Sequence, residues 1–156
     1  MNHTFVLLKP DCLARNLTGK VISMFEQFGY NVHAVKTLKM SLTHCRKLYA
    51  CHTDKTFYQT RDLEDEMISG LVMPMILIGN HDLVVEQVRV IIGAADPDAA
   101  EQGTVRRTFG LQLPKNTIHG SDCNDVVSRE ISIFFKSYEV PIGGPEINDL
   151  RLEDVE

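Results

Sequence analysis

The stretch Thr4-Phe-Val-Leu-Leu8 is a short, unbroken apolar run, and Lys9-Pro10-Asp11 follows it directly. An apolar run of this length is expected of a strand that is buried on both faces of a sheet. Pro10 has no amide hydrogen, so it forces the chain out of the strand ladder. The sequence therefore predicts a first buried strand that ends at a lysine.

The apolar spacing after this strand predicts alternating helices and further strands. We expect two more strands, Asn31–Met40 and Leu71–Ile78. In the first, Val32 and Ala34 are expected to face inward, with Val35 as a further candidate. In the second, Pro74 suits an edge or a bulge better than the centre of a sheet. Helices are predicted where apolar residues recur at helical spacing: around Val21, Phe25 and Phe28 with a stop at Gly29, then at Leu42–His52, Leu63–Ser69 and Leu83–Ile92, the last stopping at Gly93.

The region from Gly93 to about Ile118 shows little periodicity, and loops of this length are usually functional. Asp122 is then predicted to cap a last helix, whose apolar stripe is Val127, Ile131, Phe134 and Phe135. The resulting order is βαββαβ, which predicts an α+β, ferredoxin-like sandwich with accessory helices and a long loop before the last strand. Residues 1–138 form the expected domain, and 139–156 form a polar tail that crosses the surface, onto a neighbouring subunit in one interpretation.

Composition restricts the function classes. The chain has 156 residues, of which 44% are hydrophobic and 24% charged, and its net charge is −5 from 16 basic and 21 acidic residues. These values are typical of a globular chain with one core, and an acidic chain is not expected to bind nucleic acid as its main partner. The RNA-recognition module shares the predicted fold, but it needs paired aromatics on its central strands, where only Phe5 is present.

The sequence predicts no membrane or secretory segment. The longest apolar runs fall far short of the roughly 20 residues that span a bilayer, and the amino terminus has no basic region or cleavage site. The four cysteines form no CxxC pair, so we expect reduced thiols and a cytoplasmic location.

One zinc site is suggested by residue type. His44-Cys45 and Cys51-His52 offer four zinc ligands, but the matching residues are seven positions apart. If this stretch is helical, that spacing is about 10 Å, too far for one tetrahedral ion. A shared zinc ion is therefore not expected.

Three short runs carry the strongest functional signal: Lys9-Pro10-Asp11, Gly103-Thr104-Val105-Arg106 and Asn116-Thr-Ile-His119-Gly-Ser121-Asp122. His119 is predicted on a tight bend between a strand and a helix, where a substrate can approach it. In this order and at these separations, the three runs resemble the nucleoside diphosphate kinase family over about residues 3–136. The resemblance implies transfer of a γ-phosphate from a nucleoside triphosphate to a diphosphate through phospho-His119.

The resemblance also implies roles for other residues. His119 would be oriented by Ser121 and Glu130, which in the family hydrogen-bond one another and the histidine, and Tyr49 would lie near Lys9 and the histidine. Substrate-binding residues would be Lys9 at the ribose hydroxyls and phosphate, Arg89 and Arg106 at the terminal phosphates, His52 near a phosphate, Asn116 at the ribose 3′-hydroxyl, and Phe57 and Leu113 on the two faces of the base.

Stacking discriminates poorly among bases, so broad base tolerance is expected. The expected metal is Mg²⁺, held mainly by nucleotide phosphates and water rather than by protein ligands. The resemblance further implies a homohexamer or homotetramer.

Several positions depart from the family pattern. Ala94-Ala95-Asp96-Pro97 stands where the family usually has Glu-Thr-Asn-Pro, so a threonine hydroxyl that contacts phosphate is missing at Ala95. Arg107-Thr108 replaces Gly-Asp, Phe57 to Gly70 is about two residues longer, and the segment after Phe135 does not match. Two alternatives therefore remain open: a catalytically weak member that binds nucleotide or regulates, and a protein histidine phosphotransferase.

The sequence leaves three interpretations of Arg107 open. Its side chain is solvated, or it donates to a base carbonyl, or it donates to a phosphate in partial compensation for the hydroxyl missing at Ala95.

Overall fold

The computed structural model describes residues 2–50 and 61–140, except for the side chain of Arg61. Within these ranges the strands are β1 (His3–Leu8), β2 (Asn31–Val35), β3 (Leu38–Lys39), β4 (Leu71–Ile78) and β5 (Ile118–Gly120). The helices are α1 (Pro10–Ala14), α2 (Thr18–Gln27), α3 (Leu42–Leu48), α4 (Arg61–Ile68), α5 (Val84–Ile92), α6 (Val105–Phe109) and α7 (Asn124–Phe134), followed by a 3-10 turn at Ser137–Glu139.

The strands form an antiparallel sheet in the order β2-β4-β1-β5, and β3 also pairs with β4. If β2 and β3 are counted as one interrupted strand, the chain order is βαββαβ and the predicted ferredoxin-like α+β fold is confirmed. Strand β1 lies between β4 and β5. The chain therefore delivers Lys9, which follows β1, next to the residues that open β5.

Both faces of the sheet are covered. Phe5 and Leu7 belong to one buried cluster, which includes residues of α3, α4 and α7. Val6 and Leu8 belong to the other, which includes residues of α2 and α5. Because side chains alternate along a strand, the unbroken apolar run of β1 supplies both clusters.

Two apolar positions of the predicted helix and strand, Phe28 and the inward candidate Val35, lie outside the core. Helix α2 ends at Gln27 and Phe28 is its C-cap, with 63% of the residue exposed, although Val21 and Phe25 are buried as expected. Val35 is 47% exposed, because it ends β2 at the edge of the sheet. In each case the exposed residue lies at the end of its element, Phe28 directly after α2 and Val35 as the last residue of β2.

The predicted strand Asn31–Met40 is two strands, separated at residues 36 and 37. Pro74 explains the break, since its carbonyl accepts a hydrogen bond from the Lys36 amide at 3.3 Å and its missing N–H therefore faces this gap. On its other side Pro74 pairs in register with Leu7. The expectation of an edge position for Pro74 was wrong, because β4 is an inner strand, but the ladder is interrupted beside it.

The predicted helix Leu42–His52 ends earlier, at Leu48, with Tyr49 as its C-cap. The predicted long loop contains α6, whose N-cap Thr104 accepts a hydrogen bond from the Arg107 amide. At its start Gly93 ends α5 with φ +89°, and a Cβ there would lie 2.5 Å from Thr104 Oγ1. The loop therefore leaves α5 in a direction that only glycine permits without strain.

No helix within the described ranges is long and apolar enough to span a membrane.

Candidate active site

His119 lies at the centre of β5, paired in register with Leu7 of β1. The predicted placement on a bend was wrong, since the bend falls after Gly120. The residue is 7% exposed, and its ring is bordered by Phe5 and Tyr49, with centroids at 6.2 and 5.4 Å. A strand position fixes the backbone of this histidine more firmly than a turn would.

The His119 ring is held through one nitrogen. Nε2 lies 3.2 Å from Glu130 Oε1, and the Ser121 hydroxyl donates to Glu130 Oε2 at 2.6 Å and lies 3.3 Å from the Phe5 carbonyl. A carboxylate only accepts, so in the neutral ring the proton lies on Nε2 and the lone pair on Nδ1. Ser121 orients the histidine through Glu130 rather than by direct contact. No described residue hydrogen-bonds Nδ1.

Glu130 projects from α7 into the site and is 2% exposed. Carboxylates on helices are more commonly exposed and paired with a basic side chain. Arg129 Nη2 does lie 3.8 Å from Glu130 Oε1, but the shorter contacts are those to His119 and Ser121.

The prediction that Asp122 caps α7 was wrong. The N-cap is Cys123, without a side-chain hydrogen bond, and Asp122 forms an ion pair with Arg89. Arg89 also donates to the Ser121 carbonyl at 3.4 Å. Both charged side chains of the pair are nearly half exposed, so Arg89 lies at the edge of the site and would have to exchange Asp122 for phosphate.

Lys9 is buried at the end of β1. Its ammonium donates to Asn116 Oδ1 at 2.9 Å and to the Pro114 carbonyl, and it forms no ion pair with the described carboxylates. Burial lowers the pKa of Lys9 to about 8, because the charged form loses water. An anionic ligand would restore the lost stabilisation of this charge.

Arg106 is the second buried cation. Its Nη1 donates to the Gly93 carbonyl at 3.0 Å and its Nη2 to the Ile118 carbonyl at 2.8 Å. Its Nε is buried and has no partner within the described structure, and burial lowers the pKa of the guanidinium to about 10. The guanidinium is therefore a desolvated cation, and an anion bound beside it would stabilise its charge.

Tyr49 presents its ring edge to His119, and its hydroxyl lies 4.0 Å from Met67 Sδ. Burial raises the pKa of the phenol above its usual range. The neutral ring therefore forms one wall beside the histidine, close to it as the resemblance implied.

These residues share a cavity of about 570 Å³. Asn116 links two of its lining residues, because its Nδ2 donates to the Ala95 carbonyl at 2.7 Å while its Oδ1 accepts from Lys9. The lining residues are Lys9, Tyr49, Asp62, Leu63, Arg89, Gly93, Ala94, Ala95, Arg106, Leu113, Pro114, Asn116, Ile118, His119, Gly120 and Asp122. The structure thus brings together Lys9, Tyr49, Arg89, Arg106, Leu113, Asn116 and His119, with Ser121 and Glu130 behind the histidine. His52 and Phe57 lie outside the described residues.

Sequence reasoning missed the role of Asp11. Its Oδ1 accepts from the Thr117 amide at 3.3 Å, and its Oδ2 accepts from Arg15 at 2.8 Å. Thr117 has φ +75°, an unusual conformation for a residue with a Cβ. Asp11 therefore holds the chain where it enters β5, and only its place in the Lys9-Pro10-Asp11 run hinted at this.

No group of three or more potential metal ligands occurs among the described His, Cys, Asp and Glu side chains. The cavity offers two carboxylates, Asp62 and Asp122, and Asp122 already pairs with Arg89. The geometric exclusion of a zinc ion on His44, Cys45, Cys51 and His52 assumed a helix through residue 52. Because α3 ends at Leu48, that exclusion does not apply, and Cys51 and His52 are not described.

Comparisons with known proteins show the family of this chain. The family model for nucleoside diphosphate kinase matches residues 2–140. The chain is 37% identical to the nucleoside diphosphate kinase of Lawsonia intracellularis, over 89% of this chain and 98% of that protein. It is 43% identical to that of Kosmotoga olearia, over 90% and 92%.

Solved structures match as well. The Aquifex aeolicus nucleoside diphosphate kinase superposes with a TM-score of 0.82 at 29% identity, covering 90% of this chain and 99% of that one. The Halobacterium salinarum enzyme in complex with CDP superposes with a TM-score of 0.81 at 34% identity, over 90% and 92%.

Proposed function

The chain belongs to the nucleoside diphosphate kinase family and is a phosphotransferase acting on nucleotides, and we propose that it works by ping-pong transfer through phospho-His119. The observation that carries this proposal is the fixed orientation of His119. Nε2 faces Glu130, which leaves the Nδ1 lone pair for a cavity that also holds Lys9, Arg89 and Arg106.

In the first half-reaction Nδ1 attacks the γ-phosphorus of the triphosphate. A bond forms between Nδ1 and phosphorus, the bond to the bridging oxygen breaks, and the diphosphate leaves with that electron pair. The imidazole becomes more positive as the bond forms, and the Glu130 carboxylate accepting from Nε2 stabilises this charge. In the second half-reaction a terminal oxygen of the acceptor diphosphate attacks the phosphorus, and the N–P bond breaks.

The cations would supply the positive charge that phosphoryl transfer requires. Arg106 has an unsatisfied buried Nε, and Lys9 is buried without a carboxylate partner among the described residues. Both are already positioned before substrate binds, so little reorganisation accompanies the reaction. Arg89 would join them after releasing Asp122.

The part of the cavity lined by Asn116 and Leu113 would hold the nucleoside. Asn116 is proposed to contact the ribose 3′-hydroxyl, and Leu113, 48% exposed, to pack on the base, with Phe57 on the other face. His52 is proposed near a phosphate. Support comes from the Halobacterium salinarum relative, whose solved structure holds CDP.

Nucleotide kinases generally need a divalent cation, and we propose Mg²⁺ here. When bound it would neutralise phosphate charge and orient the terminal phosphates. The described residues that line the cavity include two carboxylates, Asp62 and Asp122, and Asp122 pairs with Arg89; this suits an ion held mainly by phosphate oxygens and water. Asp62 is the candidate for an added protein contact.

Three further properties are proposals drawn from the family. We propose that residues 1–138 form the catalytic domain and 139–156 a tail, that the subunits assemble as a hexamer or tetramer, and that the enzyme works in the cytoplasm. The free thiols of Cys12, Cys45 and Cys123 support the cytoplasmic location.

The test is incubation with γ-labelled ATP followed by GDP. We expect label on the protein that GDP removes, and none in the His119→Ala variant. His81→Ala is the matched control, because that histidine contacts Tyr30 at 3.2 Å outside the cavity and should label normally. Label that only a second protein removes would indicate a protein histidine phosphotransferase, and absence of label would indicate a binding protein.

A further inference from the structure

Arg107 follows Arg106 in α6 but does not line the cavity. Its Nη1 lies 3.1 Å from the Asp98 carbonyl, 3.3 Å from the Pro97 carbonyl and 3.7 Å from Asp98 Oδ1. The guanidinium thus reaches from α6 to the segment that follows α5. Because Arg107 binds this segment and does not line the cavity, the structure supports neither a base contact nor a phosphate contact for its side chain.

The segment that Arg107 reaches also forms one wall of the nucleotide cavity. Gly93, Ala94 and Ala95 line the cavity, and their side chains carry no polar atom. Any polar contact between this wall and a nucleotide must therefore come from the backbone. Backbone position, rather than a side-chain rotamer, decides whether that contact is made.

Three long-range contacts set that backbone position. Arg106 of α6 donates to the Gly93 carbonyl at 3.0 Å, where the wall begins, and Asn116 donates to the Ala95 carbonyl at 2.7 Å. Beyond the wall, Arg107 binds the Pro97 and Asp98 carbonyls. The bonds between them are local, such as the Asp98 amide to Asp96 Oδ1 at 3.0 Å; they shape the turn without fixing its place against α6.

We propose that Arg107 is a positioning residue, which clamps the segment 94–98 to α6 so that its backbone is held for nucleotide binding. The inference rests on the proposed function, since it concerns the wall of that same cavity. Arg106 of α6 already binds the first residue of the wall, Gly93, and the Arg107 clamp would hold the far end of the segment to the same helix. Arg107 would compensate for the hydroxyl that is missing at Ala95 by ordering the wall, without contacting the nucleotide itself.

Loss of the clamp should lower the fraction of molecules with a correctly placed wall. Apparent affinity falls in proportion to that fraction, so we expect Arg107→Ala to raise KM and the Kd for ADP about fivefold to tenfold. The chemical groups at His119 are untouched, so kcat should stay within about twofold. Alanine is chosen over glycine because it avoids a helix-propensity cost.

The experiment measures KM, kcat and calorimetric Kd for ADP, GDP and CDP in wild type, Arg107→Ala, Arg107→Lys and Asp98→Ala. Lysine retains the charge but not the planar fork, so partial recovery is expected. Asp98→Ala should behave as wild type, because its carboxylate is 98% exposed and the carbonyls remain.

Unchanged KM and Kd in Arg107→Ala would overturn the proposal in favour of a solvated arginine. Uneven losses among the three bases would overturn it in favour of a base contact, and a fall in kcat together with the melting temperature would indicate a general structural role. Failure of the proposed function is distinguishable, since wild type would then bind ADP without transferring phosphate, and the Kd comparison would still test the clamp.

Discussion

At the scale of single residues, the site depends on which polar atoms already form hydrogen bonds within the protein and which do not. His119 uses Nε2 on Glu130 and keeps Nδ1 available. Arg106 uses both terminal nitrogens on carbonyls, and its buried Nε has no partner in the described structure. In each group some polar atoms are held by the protein, while one forms no hydrogen bond with the described residues.

Glu130→Gln should separate orientation from binding. The amide can present N–H to Nε2, which favours the wrong tautomer and removes the negative charge. We expect kcat to fall about 10²-fold or more, as for other orienting carboxylates, with KM little changed. Glu86→Gln, on an exposed carboxylate outside the cavity, is the control; an equal loss there, or normal kcat in Glu130→Gln, would contradict the assigned role.

Lys9 should make nucleotide binding sensitive to pH. Burial lowers its pKa from 10.5 to about 8, so the free enzyme loses this cation as pH rises through about 8, and kcat/KM should fall there. The sign for stability is opposite: the folded state holds fewer protons than the unfolded chain between about 8 and 10.5, so this residue favours folding more as pH rises.

The pH profile of kcat/KM tests this, with Lys9→Gln as comparison. The variant should be weaker throughout and should lack the decline near pH 8. A decline that persists unchanged in Lys9→Gln would assign the titration to another group.

At the scale of elements, the ends of β1, β5 and α5 decide where the site lies. Gly93 is the point at which α5 stops and the cavity wall begins, and its carbonyl also accepts from Arg106. Its φ of +89° and the 2.5 Å clearance to Thr104 leave no space for a side chain.

Gly93→Ala should therefore lower the free energy of unfolding by about 1–3 kcal/mol. Gly19→Ala is a matched control in α2, because a Cβ there meets nothing within 4 Å, and it should be neutral or stabilising by up to about 1 kcal/mol. Denaturant titration of both variants measures the difference, and equal stabilities would show that Gly93 is not constrained.

The sequence predicted the elements where burial leaves a clear pattern, as in β1 and in α5 with its buried stripe. It failed where the outcome depends on contacts between distant segments. The split of β2 from β3 follows from Pro74 on another strand, and Asp122 pairs with Arg89 instead of capping α7. The site residues came from a family resemblance, and no local pattern indicates that Glu130 turns inward or that Arg107 turns away.

At the scale of the whole molecule, an acidic chain with net charge −5 binds a polyanion by concentrating cations at one place. Lys9, Arg89 and Arg106 come from three different elements, and the strand order brings them to one cavity. The fold thus provides locally the positive field that the chain lacks on average.

The most direct measurement is single-turnover labelling of the intact enzyme with γ-labelled ATP, with the site of modification determined by mass spectrometry under conditions that preserve phosphohistidine. We expect phosphate on His119, discharged to GDP at a rate at least equal to steady-state turnover. Phosphate on another residue, discharge slower than turnover, or turnover in His119→Ala would contradict the covalent mechanism.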